Sequence, residues 1–367
     1  QIITFYKFFR QNYTKKIYVL LFFLSVVASL FVAKLLSSFL LPVIFSIFLA
    51  FVFLPIIVKI TQKTKLNWTV TSILIVIIFI ALCSFIFYFL YISASTFAKE
   101  YPKYDQKFKD VLERLSESLH LHFNENLSFG QNIWEMFNIS SYVQDAAITL
   151  SSGIITFIKS FLLVLIFLAL ILIEAKHFKN KINLLAQRKN KTQVLVISKR
   201  IAEEVVRYLS IKFFISLATG TFVFVGLKII GLDFAILWAF LAFILNFIPT
   251  FGSLFSVVIT SAFALMQLYP SWDKIIFVLV YMTAVNCTIG NLLEPKIVGS
   301  NLGISTFIVV LGLTLFGWIW GFVGMIVAVP LLVIIKIICE NIPLLHPIAL
   351  FLSDDENKTQ ANLTSLD

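Results

Sequence analysis

The sequence predicts an all-α protein that crosses a membrane about eight times, as judged from its long apolar runs. Of its 367 residues, 60% are hydrophobic and only 13% are charged, and the mean hydropathy is +0.97. Soluble domains are about a quarter charged, so this composition indicates a chain that lies in lipid. The runs are continuous, whereas the strands of a membrane barrel would alternate apolar and polar residues.

The formal net charge of +10 is explained by membrane topology and does not indicate nucleic-acid binding. The basic residues flank apolar runs, as expected for loops that stay in the cytoplasm, and no recognition motif accompanies them. The three cysteines lack CxxC spacing, so neither a metal site nor a disulfide is predicted. No hydrolase or nucleotide-binding motif occurs, so we expect no enzyme activity, no catalytic residue and no cofactor.

Charge and hydropathy divide the chain into six regions. The positive-inside rule places segments rich in Lys and Arg in the cytoplasm. Residues 174–212, between the fourth and fifth spans, contain ten basic and three acidic residues and are predicted to be cytoplasmic. The insertion 93–153 contains five basic and eight acidic residues and is predicted to lie outside. The regions are the three spans of 1–92, the extracytoplasmic helical insertion 93–153, the fourth span 154–173, the cytoplasmic basic loop 174–212, a core with broken helices at 213–340 and a cytoplasmic tail at 341–367.

Two segments of this core, 233–268 and 301–338, are too long for one straight span and contain helix breakers. Such breaks are tolerated at membrane depth where the freed backbone groups face protein or a watery cavity. A pair of them is typical of a transport site, formed either by re-entrant hairpins or by helices that cross fully. The residues at these breaks are Pro249, Gly252, Gly317, Gly321, Gly324 and Pro330.

A carboxylate and several polar side chains lie near the end of the apolar run between the two broken segments. Glu294 is the predicted centre of the site, because an ionisable group at membrane depth is costly unless it has a function or a partner. Asn291 and Thr288 precede it at intervals of three residues, and Asn286 and Asn246 complete the predicted set. Their oxygens suit a hard cation or a polyhydroxylated solute.

Structural roles compete with this interpretation. Glu294 could instead pair with Lys296, two residues further on. The amide of Asn246 could satisfy carbonyl groups that the first break frees. Asp233 is expected to cap the helix that begins beside it.

Three motifs in this region resemble the AI-2E family of bacterial inner-membrane proteins, the autoinducer-2 exporters. The motifs are Ile248-Pro-Thr-Phe-Gly252, then Glu294-Pro295-Lys-Ile-Val-Gly299, then a glycine-rich stretch that closes in Ala328-Val-Pro330. All three stand in the family's order, and the layout of spans agrees along nearly the whole chain. The sequence departs from the family pattern at Thr250, which is often aromatic, and at Ser300, which is usually arginine.

The resemblance implies a transporter that contacts the lipid bilayer and forms a homo-oligomer. The interrupted helices and Glu294 favour secondary transport by alternating access. The resemblance leaves two cargoes open: an autoinducer-2-like small polar solute, or sodium (or lithium) exchanged for protons. The charge pattern predicts a multi-pass protein of the inner membrane with both termini in the cytoplasm. A further alternative is a scaffold without transport, which binds an envelope partner through residues 93–153.

Overall fold

The computed structural model describes residues 20–21, 24–118, 160–177, 191–249, 251–298, 303–342 and 345–354. Within these ranges the chain is helical and has no β-strand, only an isolated bridge between Ile304 and Ser353. Seven of the described helices are long and apolar enough to cross a membrane. The predicted all-α membrane fold is therefore confirmed, although the start of the first span and most of the insertion 93–153 lie outside the described residues.

The described residues form the following α-helices. In chain order they are α1 (Leu24–Leu35), α2 (Ser37–Thr64), α3 (Trp68–Ser118), α4 (Ser160–His177), α5 (Lys191–Ile230), α6 (Ala235–Leu245), α7 (Phe251–Leu268), α8 (Trp272–Asn286), α9 (Glu294–Val298), α10 (Thr306–Asn341) and α11 (His346–Leu352). A π-helix, Cys287–Leu293, joins α8 to α9. Two proposed region boundaries, at 92/93 and at 212/213, fall inside the continuous helices α3 and α5.

The first broken segment is a helical hairpin made of α6 and α7. Gly252 lies so close to the Leu245 carbonyl oxygen that a Cβ there would overlap it, which shows that the two helices fold back on each other. At the other end of the hairpin, Gln267 accepts a bond from the Asp233 amide at 2.7 Å and donates to the Gly231 carbonyl at 3.0 Å. Helix α6 has 11 residues and rises about 16 Å, which is too short to cross a bilayer core of about 30 Å.

The second broken segment, α10, is also a hairpin and not one long crossing. Gly321 has φ 64° and ψ −148°, which breaks the helix. Gly312 lies against the Leu332 side chain, and Gly324 lies against the Phe316 carbonyl. On a straight helix Gly312 and Leu332 would be about 30 Å apart, so the chain must reverse direction at Gly321.

The two hairpins open towards opposite ends of the molecule. The base of the first lies beside α3, where the Tyr104 hydroxyl donates to the Asp233 carboxylate at 2.6 Å; we call this the Tyr104 end. The base of the second lies beside the start of α5, where Arg200 pairs with Glu340 at 2.9 Å; we call this the Arg200 end. Between these ends, Ile248 at the tip of the first hairpin packs into one apolar cluster with both arms of the second.

Aromatic rings hold the first hairpin against α3. The rings of Trp238 and Phe263, one from each arm, have centroids 4.9 Å apart. Phe97 and Tyr104 of α3 contact Phe263 with centroid distances of 5.8 and 5.1 Å. Such tilted and edge-on contacts add to the free energy gained by burying the rings, and they keep the hairpin base in place.

The sequence suggested that Asp233 caps α6, but in the structure it does not. The residue at the N-cap position is Phe234, in a left-handed conformation at φ 57°, and no side chain caps the helix. The Asp233 carboxylate is instead directed to α3 and its Tyr104 hydroxyl. A distant partner has therefore replaced the local capping bond, a competition that sequence spacing does not reveal.

Candidate functional site

Glu294 forms an ion pair with Lys212 of α5. The Lys212 Nζ and the Glu294 Oε1 are 2.5 Å apart. The lysine side chain is 1% exposed and the glutamate side chain 21% exposed. The predicted alternative, a local pair with Lys296, is wrong: Lys296 is exposed, and Glu294 contacts the buried lysine instead.

A π-helix places Glu294 at this position. The Glu294 amide donates to the carbonyl of Ile289, five residues earlier, in place of the usual four. The prediction required Thr288, Asn291 and Glu294, three residues apart, to share one helical face. The wider turn of the π-helix rotates the chain, so residues at this spacing no longer lie above one another. Thr288 is exposed, Ile289 is buried, and the Asn291 side chain lies outside the described part. The structure therefore does not bring Thr288 into the pair.

Asn246 reaches α5 one helical turn away from Lys212. Its Nδ2 donates to the Ser216 Oγ at 3.0 Å, and both side chains are at most 5% exposed. Lys212 and Ser216 are spaced i,i+4, so they share one face of α5. The tip of the first hairpin is thereby attached beside the ion pair. The amide donates to a side chain of α5 here, whereas the sequence had suggested a bond to the local backbone.

Asn286 is placed differently from the other predicted ligands. It is buried, and its Nδ2 donates to the carbonyl of Met282, one turn earlier in α8, at 2.8 Å. This bond satisfies the amide within its own helix. The structure places Asn286 at the end of α8, just before the π-helix, with its amide nitrogen bonded to its own helix and not to the Lys212–Glu294 pair.

The predicted break residues fall mainly on the two hairpins. Pro249 and Gly252 lie at the tip of the first hairpin, and Gly321 is the turning point of the second. Gly317 and Gly324 let the arms of α10 approach closely, and Pro330 is buried in its second arm. Pro295 lies in α9, and Gly299 is outside the described residues.

Lys212 and Ser216 were not predicted as site residues. The sequence analysis had placed Lys212 at the end of a cytoplasmic loop and Ser216 in the following span. A signal was nevertheless present. Tyr208, Lys212, Ser216 and Thr219 recur at helical spacing on the side of α5 that is buried in the protein. A lysine on such a face is a candidate for a partner in the interior.

A second buried carboxylate, Glu340, was also missed because the last span was predicted to end at residue 338. Its side chain is 1% exposed and contacts Arg200 at 2.9 Å and Lys336 at 3.4 Å. Lys336 also donates to the Gly303 carbonyl at 2.8 Å. These contacts fasten the base of the second hairpin to α5.

Comparison with known proteins identifies the family of the chain. A sequence model described as AI-2E family transporter matches residues 20–344. A protein of Haemophilus influenzae that is provisionally named a transport protein is 32% identical to this chain over 337 residues. The aligned part covers 88% of this chain and 92% of the relative. The AI-2 transport protein TqsA of Escherichia coli is 29% identical over 318 residues, 85% of this chain and 89% of its own.

A weaker similarity covers about half of the chain. The sodium-lithium/proton antiporter of Halobacillus andaensis is 26% identical over 178 residues, 48% of this chain and 49% of its own. The family match, by contrast, covers helices α1 to α10, both hairpins and the Lys212–Glu294 pair. The chain therefore belongs to the AI-2E family of transporters and is a multi-pass protein of the inner membrane.

Proposed function

We propose that the protein is a secondary transporter that moves a small polar solute of the autoinducer-2 type across the inner membrane by alternating access. The observation that carries the proposal is the buried contact between Lys212 and Glu294, beside the tip of the first hairpin. The name of the relative TqsA, an AI-2 transport protein, supports this class of cargo. We expect a homo-oligomer, as the family resemblance implies.

The position of the pair along α5 supports a site within the membrane. Lys212 is 12 residues from Arg200, whose partner Glu340 marks one end of the molecule, and 18 residues from Ile230 at the other end. At 1.5 Å per residue these separations are about 18 Å and 27 Å. A solute at Lys212 would therefore lie far from both ends of α5.

The chemistry of the pair suits a solute without net charge. Lys212 and Glu294 neutralise each other, so the site offers an ammonium donor and a carboxylate acceptor but no excess charge. Ser216 and Asn246 add a hydroxyl and an amide within one helical turn. A polyhydroxylated solute could insert between the two charges, because its hydroxyl groups both donate and accept hydrogen bonds.

The two hairpins support alternating access. They open towards opposite ends, and Ile248 at the tip of the first packs against the arms of the second. Separation of these contacts on one side at a time would expose the pair first to one end and then to the other. Broken helices with a binding site near their tips are the usual architecture for this type of transport.

A second candidate function is sodium (or lithium)/proton exchange at the same carboxylate. Lys212 occupies the position that a cation bound to Glu294 would take, so a cation or proton could act by displacing the lysine. The partial similarity to the sodium-lithium/proton antiporter favours this alternative. A scaffold without transport is a weaker candidate, because it would require neither the two hairpins nor the buried charges.

Transport assays with purified protein in sealed vesicles distinguish the cargoes. Vesicles preloaded with unlabelled autoinducer-2 are diluted into labelled autoinducer-2, and counterflow of the label is measured. In parallel, a sodium gradient is imposed and an internal pH dye is followed. Counterflow above that of protein-free vesicles supports the solute transporter, and sodium-driven proton flux supports the antiporter. If neither occurs in protein that remains folded, both cargo assignments are wrong.

A further inference from the structure

A cavity of about 420 Å³ opens between α3 and α5, beside the base of the first hairpin. It lies far from the Lys212–Glu294 pair, because Lys228, which lines it, is 16 residues further along α5. Its polar lining residues are Ser93, Thr96, Lys228 and Asp233. This volume is within the range that holds a small organic ligand or headgroup.

The cavity lies at the boundary between the apolar span and the polar end of the molecule. Lys228 is in the last turn of α5, where a lysine can extend its ammonium to the membrane surface. On the apolar side the cavity is lined by Phe89, Ile92 and Phe224, each between 38% and 43% exposed. These side chains form an apolar wall that continues along α3 and α5 in the direction of the lipid chains.

The two charged residues of the cavity, Lys228 and Asp233, can still form contacts with a ligand. No ion pair to Lys228 occurs among the residues that the structure describes. Asp233 uses its Oδ2 to accept the Tyr104 hydroxyl, and within the described part of the chain no hydrogen bond to its Oδ1 is present. Gln267 holds the backbone just before the Asp233 side chain with two hydrogen bonds, to the Gly231 carbonyl and from the Asp233 amide. The acidic group is thus held in place without a ligand.

From these observations we propose that the cavity binds the headgroup of a phospholipid that carries a primary ammonium group, such as phosphatidylethanolamine. Lys228 contacts the phosphate, Asp233 accepts hydrogen bonds from the ammonium, and an acyl chain lies along Phe89 and Phe224. One cation and one anion in a single cavity complement a zwitterion. A purely anionic headgroup would pair with Lys228 but would be repelled by the Asp233 carboxylate. A free solute would leave the apolar wall uncovered.

Native mass spectrometry of the whole protein with defined lipids tests the site. Wild-type protein is titrated with phosphatidylethanolamine, phosphatidylcholine and phosphatidylglycerol, and the same titrations are made with Lys228→Gln and Asp233→Asn. Asparagine still accepts the Tyr104 hydroxyl through its side-chain oxygen, so the Asp233 variant keeps that contact. The matched control is Lys274→Gln, another exposed lysine at the Tyr104 end that lies outside the cavity.

We expect wild-type protein to bind phosphatidylethanolamine more tightly than the other two lipids. Loss of one charge-assisted contact should weaken that binding about tenfold in Lys228→Gln and Asp233→Asn but leave it unchanged in Lys274→Gln. Equal binding of phosphatidylglycerol and phosphatidylethanolamine, or an equal loss in Lys274→Gln, would overturn the proposal. Displacement of the lipid by soluble phosphoethanolamine at equal concentration would also overturn it, in favour of a free zwitterionic solute.

Discussion

The ammonium of Lys212 contacts the carboxylate of Glu294 at 2.5 Å, although 82 positions of sequence separate them. One partner lies in the middle of a 40-residue helix and the other directly follows a π-helix. Two charges so deep in a membrane protein are stable only if each compensates the other. The contact therefore links the stability of the core to the site at which we propose that the solute binds.

The first prediction concerns the coupling of these two charges. Lys212→Met keeps the length of the side chain but leaves Glu294 without its partner, so we expect a loss of about 3 kcal/mol in the free energy of unfolding. The double variant Lys212→Met/Glu294→Gln should recover most of that loss, because no unpaired charge remains. Thermal unfolding of the purified variants in detergent measures both effects. Strictly additive losses would mean that the two side chains do not interact.

The second prediction concerns Glu340 at the base of the second hairpin. Glu340→Gln leaves Arg200 and Lys336 without a carboxylate, and removal of one member of a buried ion cluster costs about 3 kcal/mol. The matched control is Glu203→Gln, which breaks an exposed i,i+4 pair with Lys199 and should cost less than about 0.5 kcal/mol. Thermal unfolding compares the two variants, and equal losses would contradict the assigned role of Glu340.

The third prediction concerns the reversal at Gly321. Its φ of 64° with ψ of −148° is a backbone conformation that residues with a Cβ rarely adopt. Gly321→Ala should therefore cost about 1–3 kcal/mol of stability. Gly290→Ala is the control, because a Cβ there would meet no atom within 4 Å and the backbone is helical. If both alanine variants unfold at the same temperature, the strained turn at Gly321 is refuted.

Pattern and composition were sufficient for the fold class and for the location of the broken segments, because proline and glycine interrupt apolar runs visibly. They could not show that α10 reverses direction, since that depends on the conformation of Gly321 and on contacts such as Gly312 with Leu332. Both hairpins therefore required the structure, although the positions of the breaks did not.

The candidate site was predicted only in part. Glu294 and Asn246 could be found because polar groups in an apolar region are conspicuous. Lys212 was missed because the positive-inside rule assigns each lysine near an apolar run to a loop. The π-helix before Glu294 was also missed, since its extra residue per turn changes the helical face without a sequence signal that we recognised.

The fourth prediction concerns membrane orientation. The balance of charges predicts that the Tyr104 end faces outwards and the Arg200 end faces the cytoplasm. Single cysteines at the exposed positions Lys107 and Lys199, in a background without the three native cysteines, are treated with a membrane-impermeant maleimide in intact cells. Lys107→Cys should react and Lys199→Cys should not until the cells are opened. The opposite pattern would invert the topology.

The transport rate of Glu294→Gln tests the central claim most directly. Wild type, Glu294→Gln and the control Glu203→Gln are reconstituted at equal density, and both autoinducer-2 counterflow and sodium-driven proton flux are measured. We predict that whichever flux the wild type shows falls to the level of protein-free vesicles in Glu294→Gln, while Glu203→Gln keeps the wild-type rate. A Glu294→Gln variant that transports at the wild-type rate would contradict the assignment of the Lys212–Glu294 pair as the transport site.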